Sequence, residues 1–139
     1  VLLRSRANPT QFHLPSGAFP LFAASLGGHH EAVDLLLQYT AHPSQQNQAT
    51  GATALLAACR GGHCAAAQAL LEKGADPRHE ALDGAFPLLL AGLSGKGEVC
   101  DLLLRHRAEP DQVNLSDCNF PLLVAAARGH AEGADALCR

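Results

Sequence analysis

The stretch "GAFPLFAASLGGHHEAVDLLL" (residues 17–37) decides the fold, because it returns three times. "GATALLAACRGGHCAAAQALL" starts at Gly51, "GAFPLLLAGLSGKGEVCDLLL" at Gly84 and "CNFPLLVAAARGHAEGADALC" at Cys118, steps of 34, 33 and 34 residues. A fractional copy precedes them: "LLRSRANP" (2–9) aligns with "LLQYTAHP" (36–43), "LLEKGADP" (70–77) and "LLRHRAEP" (103–110). A fixed period of this length is the mark of a stacked repeat and is sought before any local motif.

Each piece of the period has a physical reading. Phe19-Pro20, Phe86-Pro87 and Phe120-Pro121 open a first helix, where proline's missing N–H costs nothing. Gly28, Gly62, Gly95 and Gly129 end it, since glycine tolerates a left-handed terminus. A second helix follows, with apolar positions at helical spacing such as Ala32, Leu35, Leu36 and Val99, Leu102, Leu103. It stops at Lys73-Gly74-Ala75-Asp76-Pro77 in the second copy. A polar return of nine or ten residues leads to the next copy. Two short helices and a loop are too small to bury their own apolar face, so units must stack.

Composition agrees with this architecture and excludes others. Of 139 residues, 47% are apolar and only 4% aromatic, with no Trp or Met, so Leu and Ala carry a closely packed helical interior. The net charge of −3 includes no basic stripe able to neutralise phosphates, and nucleic acid is not an expected partner. No apolar run approaches the roughly 20 residues needed to span a bilayer. The five cysteines lack C-x-x-C spacing and read as reduced, mostly buried thiols of an intracellular, cytoplasmic or nuclear protein.

The residues that look chemical are absorbed by the repeat. His29, His63 and His130 recur at the entry to the second helix, where a ring nitrogen can satisfy backbone groups of the turn. His30 is expected in solvent, and His13, His42, His79 and His106 fall in or beside the return loops. No H-E-x-x-H or Cys/His ligand pair appears, so no metal site is expected. "SGKGE" (94–98) lacks phosphate-loop spacing and falls at the mid-repeat turn. The carboxylates are scattered and form no catalytic pair. Neither an enzyme nor a cofactor is expected.

With its Pro20-Leu21, Gly28-His29, Gly62-His63, Gly129-His130 and Gly74-Ala75-Asp76 elements in phase, the chain resembles the ankyrin repeat family along nearly its whole length. The family pattern is G-x-T-P-L-H-x-A-A, then G-H, then L-L-L-x-x-G-A-D. The resemblance implies an all-α, ankyrin-type solenoid of stacked helix-turn-helix repeats with β-turn or hairpin loops. It implies one array over 1–139: 1–16 the end of a preceding repeat and its loop, 17–50, 51–83 and 84–117 full repeats, and 118–139 a partial last one. The family's T-P-L-H becomes FPLF, TALL, FPLL and FPLL. Phe19, Phe86 and Phe120, with Leu56, Leu89 and Leu123, donate no hydrogen bonds, so an apolar seam between repeats is expected. Thr40 and Arg107 replace a helix-ending glycine, and Gly133 interrupts the last helix.

The resemblance also implies a function: non-catalytic, protein–protein interaction scaffolding through a concave face of loops and first helices. The alternative is a regulatory or structural arm of a larger enzyme, channel or assembly. The family's contact positions carry over to Pro15, Ser16, Ala18, Leu26 and Tyr39 in the first full repeat. In the second they are Ala49, Thr50, Ala52, Arg60 and Lys73. The third contributes Leu82, Asp83, Ala85, Leu93, Ser94 and His106, and the fourth Ser116, Asp117, Asn119, Ala127 and Arg128. Leu26, Leu82 and Leu93 form an expected apolar centre, rimmed by Arg60, Lys73 and Arg128, with Tyr39 as an anchor type. The chain has no initiator Met and reads as a piece of a longer one, whose ends further repeats or another subunit should cover.

Overall fold

A computed structural model describes residues 7–11, 16–39 and 41–139. Among these, eight helices form four antiparallel pairs. They are α1 (Pro20–Leu26) with α2 (His30–Gln38), α3 (Ala54–Gly61) with α4 (Cys64–Glu72), α5 (Pro87–Ser94) with α6 (Gly97–Arg105), and α7 (Pro121–Ala127) with α8 (Ala131–Cys138). First helices stack on first helices, α1 on α3 on α5 on α7, and second helices stack likewise. The result is an all-α solenoid. The residues 1–6 of the fractional copy, His13, Pro15 and Thr40 lie outside the described residues.

The helix starts follow from the sequence. α1, α5 and α7 begin at proline behind an extended phenylalanine whose side chain caps nothing. Only α3 of these first helices has a side-chain cap: the Thr53 hydroxyl accepts from the Leu56 N–H at 3.5 Å. The phenylalanine instead packs. Phe19 is 2% and Phe86 0% exposed, as the apolar seam requires, but Phe120 is 37% exposed, since among the described residues no helix packs on the far side of α7. The core runs continuously through Leu21, Leu55, Leu70, Leu88 and Leu103, all fully buried.

The mid-repeat turn explains its own glycines. Gly62 and Gly95 close α3 and α5 at φ 70 and 75, a left-handed conformation that a side chain resists. A neighbour also fills the space. The His63 ring lies against Gly28 of the repeat before it, and the His130 ring against Gly95, so a Cβ at either glycine would collide with imidazole. His63 Nε2–H donates to the Leu26 carbonyl at 3.1 Å, across the seam and not within its own turn.

The return loops fold as short hairpins, with antiparallel bridges Gln46–Thr53 and Asn114–Asn119. They tie consecutive repeats by polar bonds, a second component of the seam that the apolar expectation omitted. Asn47 Nδ2 donates to the Ser16 carbonyl at 2.9 Å, and Asn114 Nδ2 to the Asp83 carbonyl at 3.2 Å. The third loop has Glu80 at the corresponding position. There the Leu82 N–H reaches the Thr50 carbonyl at 2.9 Å, and His79 Nε2–H reaches the Gly51 carbonyl at 2.8 Å. Arg78 adds a surface ion pair to Glu109 at 2.9 Å. Arg107 (φ 66) and Cys118 (φ 57) hold left-handed positions that glycine occupies in other copies.

Candidate partner-binding groove

Where the first helices meet the hairpin loops, a groove of about 290 Å³ opens along the middle of the stack. That is near the lower end of the range for ligand clefts, about 300–1,000 Å³, and matches a side chain or two of a peptide. Its floor is closed: Leu56, Ala57 and Leu90, from α3 and α5, are at most 6% exposed. Phe22 and Leu26 of α1 form one wall, and Leu26 is 46% exposed. Ala52, Ala81 and Ala85 of two successive loops line the other side, and their small side chains keep it open.

The loops that border the groove are held in shape by their own side chains. Asn47 Oδ1 accepts from the N–H groups of Ala49 (2.9 Å) and Thr50 (3.2 Å), which fixes the second hairpin from inside. Thr50 Oγ1 accepts from the Ala52 N–H at 3.3 Å. Asp83 Oδ1 accepts from the Ala85 N–H at 3.0 Å. Such local side-chain bonds stabilise turns that the backbone alone would leave mobile. Arg60, exposed in the last turn of α3, is different: among the described residues its guanidinium has neither an ion pair nor a side-chain hydrogen bond.

Of the residues expected at a contact face, the structure brings Leu26, Thr50, Ala52, Arg60, Asp83 and Ala85 together in this groove. Ser16, Ala49, Leu82, Ser116, Asp117 and Ala127 are exposed along the loops and the last first-helix, outside it, as is Arg128 just past α7. Ala18 and Asn119 are half-buried in their loops, and Asp117 is occupied with the Asn119 N–H and amide. Tyr39, Lys73 and His106 cap the ends of second helices, away from the groove lining. Leu93 packs partly on the core, and Ser94 donates to the Ala91 carbonyl at 2.8 Å. Pro15 lies outside the described residues.

Sequence reasoning missed Phe22, Leu56, Ala57, Leu90, Ala81 and Asn47 as groove residues. For Asn47 a signal existed. "NQATG" and "NLSDC" place an asparagine four residues before two of the opening loop residues, and both asparagines, Asn47 and Asn114, are buried.

None of the cysteines lines the groove. Burial pushes the Cys59 thiol far up, and burial, then the nearby Asp101 charge, lift Cys100 to about 11, so both stay protonated at neutral pH. Burial and Glu98 raise Cys64 as well. All five cysteines are free thiols. Among the described residues no three His, Cys, Asp or Glu side chains converge as a metal site. No helix among them is long and apolar enough to cross a membrane.

The family model described as ankyrin repeats (3 copies) matches residues 1–81. Among solved structures, the human ASB11 ankyrin repeat domain superposes with a TM-score of 0.81 at 31% sequence identity. That match covers 87% of this chain, which spans about half (53%) of the matched structure's length. A search of curated proteins returned no match.

Proposed function

The chain belongs to the ankyrin repeat family, and from that premise we propose that it is a non-catalytic interaction module that grips a partner protein through the groove between its hairpin loops and first helices. Ankyrin repeats are in general protein–protein interaction modules and in general not catalytic. The observation that carries the proposal is the open groove itself: an apolar floor, loop borders held by their own side chains, and at one rim an Arg60 that has no ion pair among the described residues. A preformed groove saves the ordering cost that a mobile surface pays on binding.

In this reading the array runs as one unit over 1–139, with full repeats at 17–50, 51–83 and 84–117. The loop tips Leu82 and Ser116 and the helix ends Tyr39, Lys73, His106 and Arg128 extend the contact beyond the groove. The partner is a protein, not a nucleic acid, because the net charge is −3 and the sequence carries no basic stripe. The five free thiols favour an intracellular compartment.

A second reading is favoured by one feature. Phe120 and Leu123 are 37% and 42% exposed, whereas Phe86 and Leu89 one repeat earlier are 0% and 4% exposed. A structural arm of a larger assembly would cover that face with a further repeat or another subunit.

The test is affinity capture from lysate with the wild-type chain, Leu26→Asp and Phe120→Asp as parallel baits, each first shown to fold. Proteins lost with Leu26→Asp but retained with Phe120→Asp support the groove. A protein set indifferent to Leu26→Asp and lost with Phe120→Asp refutes the groove and supports the structural arm.

A further inference from the structure

The groove is not electrically even along its length. Arg60 lies seven residues past Thr53 on α3, about 10 Å at 1.5 Å per residue. Thr53 pairs with Gln46 at the hairpin end, and the Leu82 N–H anchors the next loop to Thr50 there. Asp83 therefore belongs to the hairpin end and Arg60 to the opposite end. Asp83 spends one carboxylate oxygen on the Ala85 N–H. Arg60 has no such partner among the described residues, and the stem of Lys96 lies against Gly62, two residues further on. Glu98, the carboxylate closest in sequence to Lys96, acts on the Cys64 thiol of α4. A cation in the last turn of α3 suits the helix dipole, which accounts for its sign. It does not account for a guanidinium set at the rim of an apolar groove.

We propose that the groove takes an extended acidic segment of the partner. One apolar side chain fills the space over Leu56 and Leu90, and a neighbouring Asp or Glu carboxylate pairs with Arg60. The inference rests on the groove being the partner site, and it adds the chemistry and the direction: the carboxylate lies at the α3 end, away from Asp83. Arginine presents its donors as a planar fork that matches a carboxylate. Beside a low-dielectric floor the pair is screened less than on an open surface.

Selection of random 12-residue displayed peptides on the folded chain tests this. Enriched peptides are resynthesised with a fluorophore and titrated by anisotropy onto the wild type, Leu26→Ala, Arg60→Glu and Arg60→Lys. The expected motif is an apolar residue next to, or one removed from, Asp or Glu. Affinity should fall about tenfold or more in Arg60→Glu, fall less in Arg60→Lys, and weaken as salt rises. A fresh selection on Arg60→Glu should enrich Lys or Arg instead. Binding that drops with Leu26→Ala but is indifferent to Arg60→Glu overturns the acidic segment and leaves the groove standing. Binding indifferent to both overturns the two together. Selection that enriches nothing, or only basic peptides, overturns the acidic segment, and the capture experiment then decides the groove separately.

Discussion

The third and fourth repeats carry nearly the same opening, "FPLLL" and "FPLLV", yet their burial differs. Phe86 is 0% exposed between α3 and α7, while Phe120 is 37% exposed, with a stacked helix on one side only among the described residues. The same contrast holds for Leu89 and Leu123. The lesson is that a repeat's residues acquire their energetic weight from the next repeat, not from their own unit. The middle of the stack is also where the groove lies. Its floor residues Leu56 and Leu90 are core residues, so the stacking that stabilises the solenoid also pre-organises the contact face.

The largest test of that contrast is Phe86→Ala against Phe120→Ala. Emptying the buried site should cost about 3–5 kcal/mol. The half-open one should cost about 1 kcal/mol, because most of its loss is a transfer already incomplete. Equilibrium denaturation of both variants reads the difference, and equal losses would break the comparison.

Next in size are the loop asparagines. Asn47→Ala removes a donor to Ser16 and an acceptor for two N–H groups, all partly buried, and should cost about 1–3 kcal/mol. Asn114→Ala removes similar bonds from the terminal hairpin and should cost less, by the same denaturation assay. A greater loss at Asn114 would mean that the last repeat is held as firmly as the middle.

Smaller changes should repair the last repeat. Cys118 stands at φ 57, and Cys118→Gly should relieve about 1 kcal/mol of backbone strain. A Cβ on Gly133 would meet Ala125 at 3.7 Å and Cys100 at 4.0 Å, ordinary contact distances. Gly133→Ala should therefore stabilise α8 by about 0.5–1 kcal/mol. Gly97→Ala, facing the Glu132 carbonyl at 2.9 Å, should destabilise instead. Thermal unfolding of the three variants checks the signs.

The thiols sharpen the same contrast at the smallest scale. Cys118 and Cys138 of the last repeat are exposed and should react with a disulfide reagent in the native state, while buried Cys59 and Cys100 wait for unfolding. Unfolded thiols ionise near about pH 8.5, whereas folded Cys100 keeps its proton to about 11. The unfolded state thus loses its proton first. Stability is full below about pH 8 and declines as pH climbs through that window. Stability that rises there would contradict the burial of Cys100.

Periodicity made most of the fold legible. The Pro starts, the glycine ends and the Leu-rich second helices fall where four copies in phase put them. What stayed hidden depends on neighbours. Nothing in "NFPLL" says that Phe120 and Leu123 stay partly open where Phe86 and Leu89 are covered, and nothing in Ala81 or Leu90 says that stacking brings them beside Leu26. The asparagine rungs were half visible, since Glu80 interrupts the pattern and His79 with a backbone N–H replaces it. Of the contact positions implied by family likeness, Leu26, Thr50, Ala52, Arg60, Asp83 and Ala85 line one groove, while the remaining described loop and first-helix positions lie outside it. Those at second-helix ends do not join it, because the length of each second helix carries them away.

Hydrogen exchange followed helix by helix on the native chain tests most directly the claim that stacking builds both the stability and the groove. Amides of α3 and α5 should exchange slowest, through global unfolding, and those of α7 and α8 faster, through local opening. Exchange from α3 and α5 as fast as from α7 and α8 would contradict it.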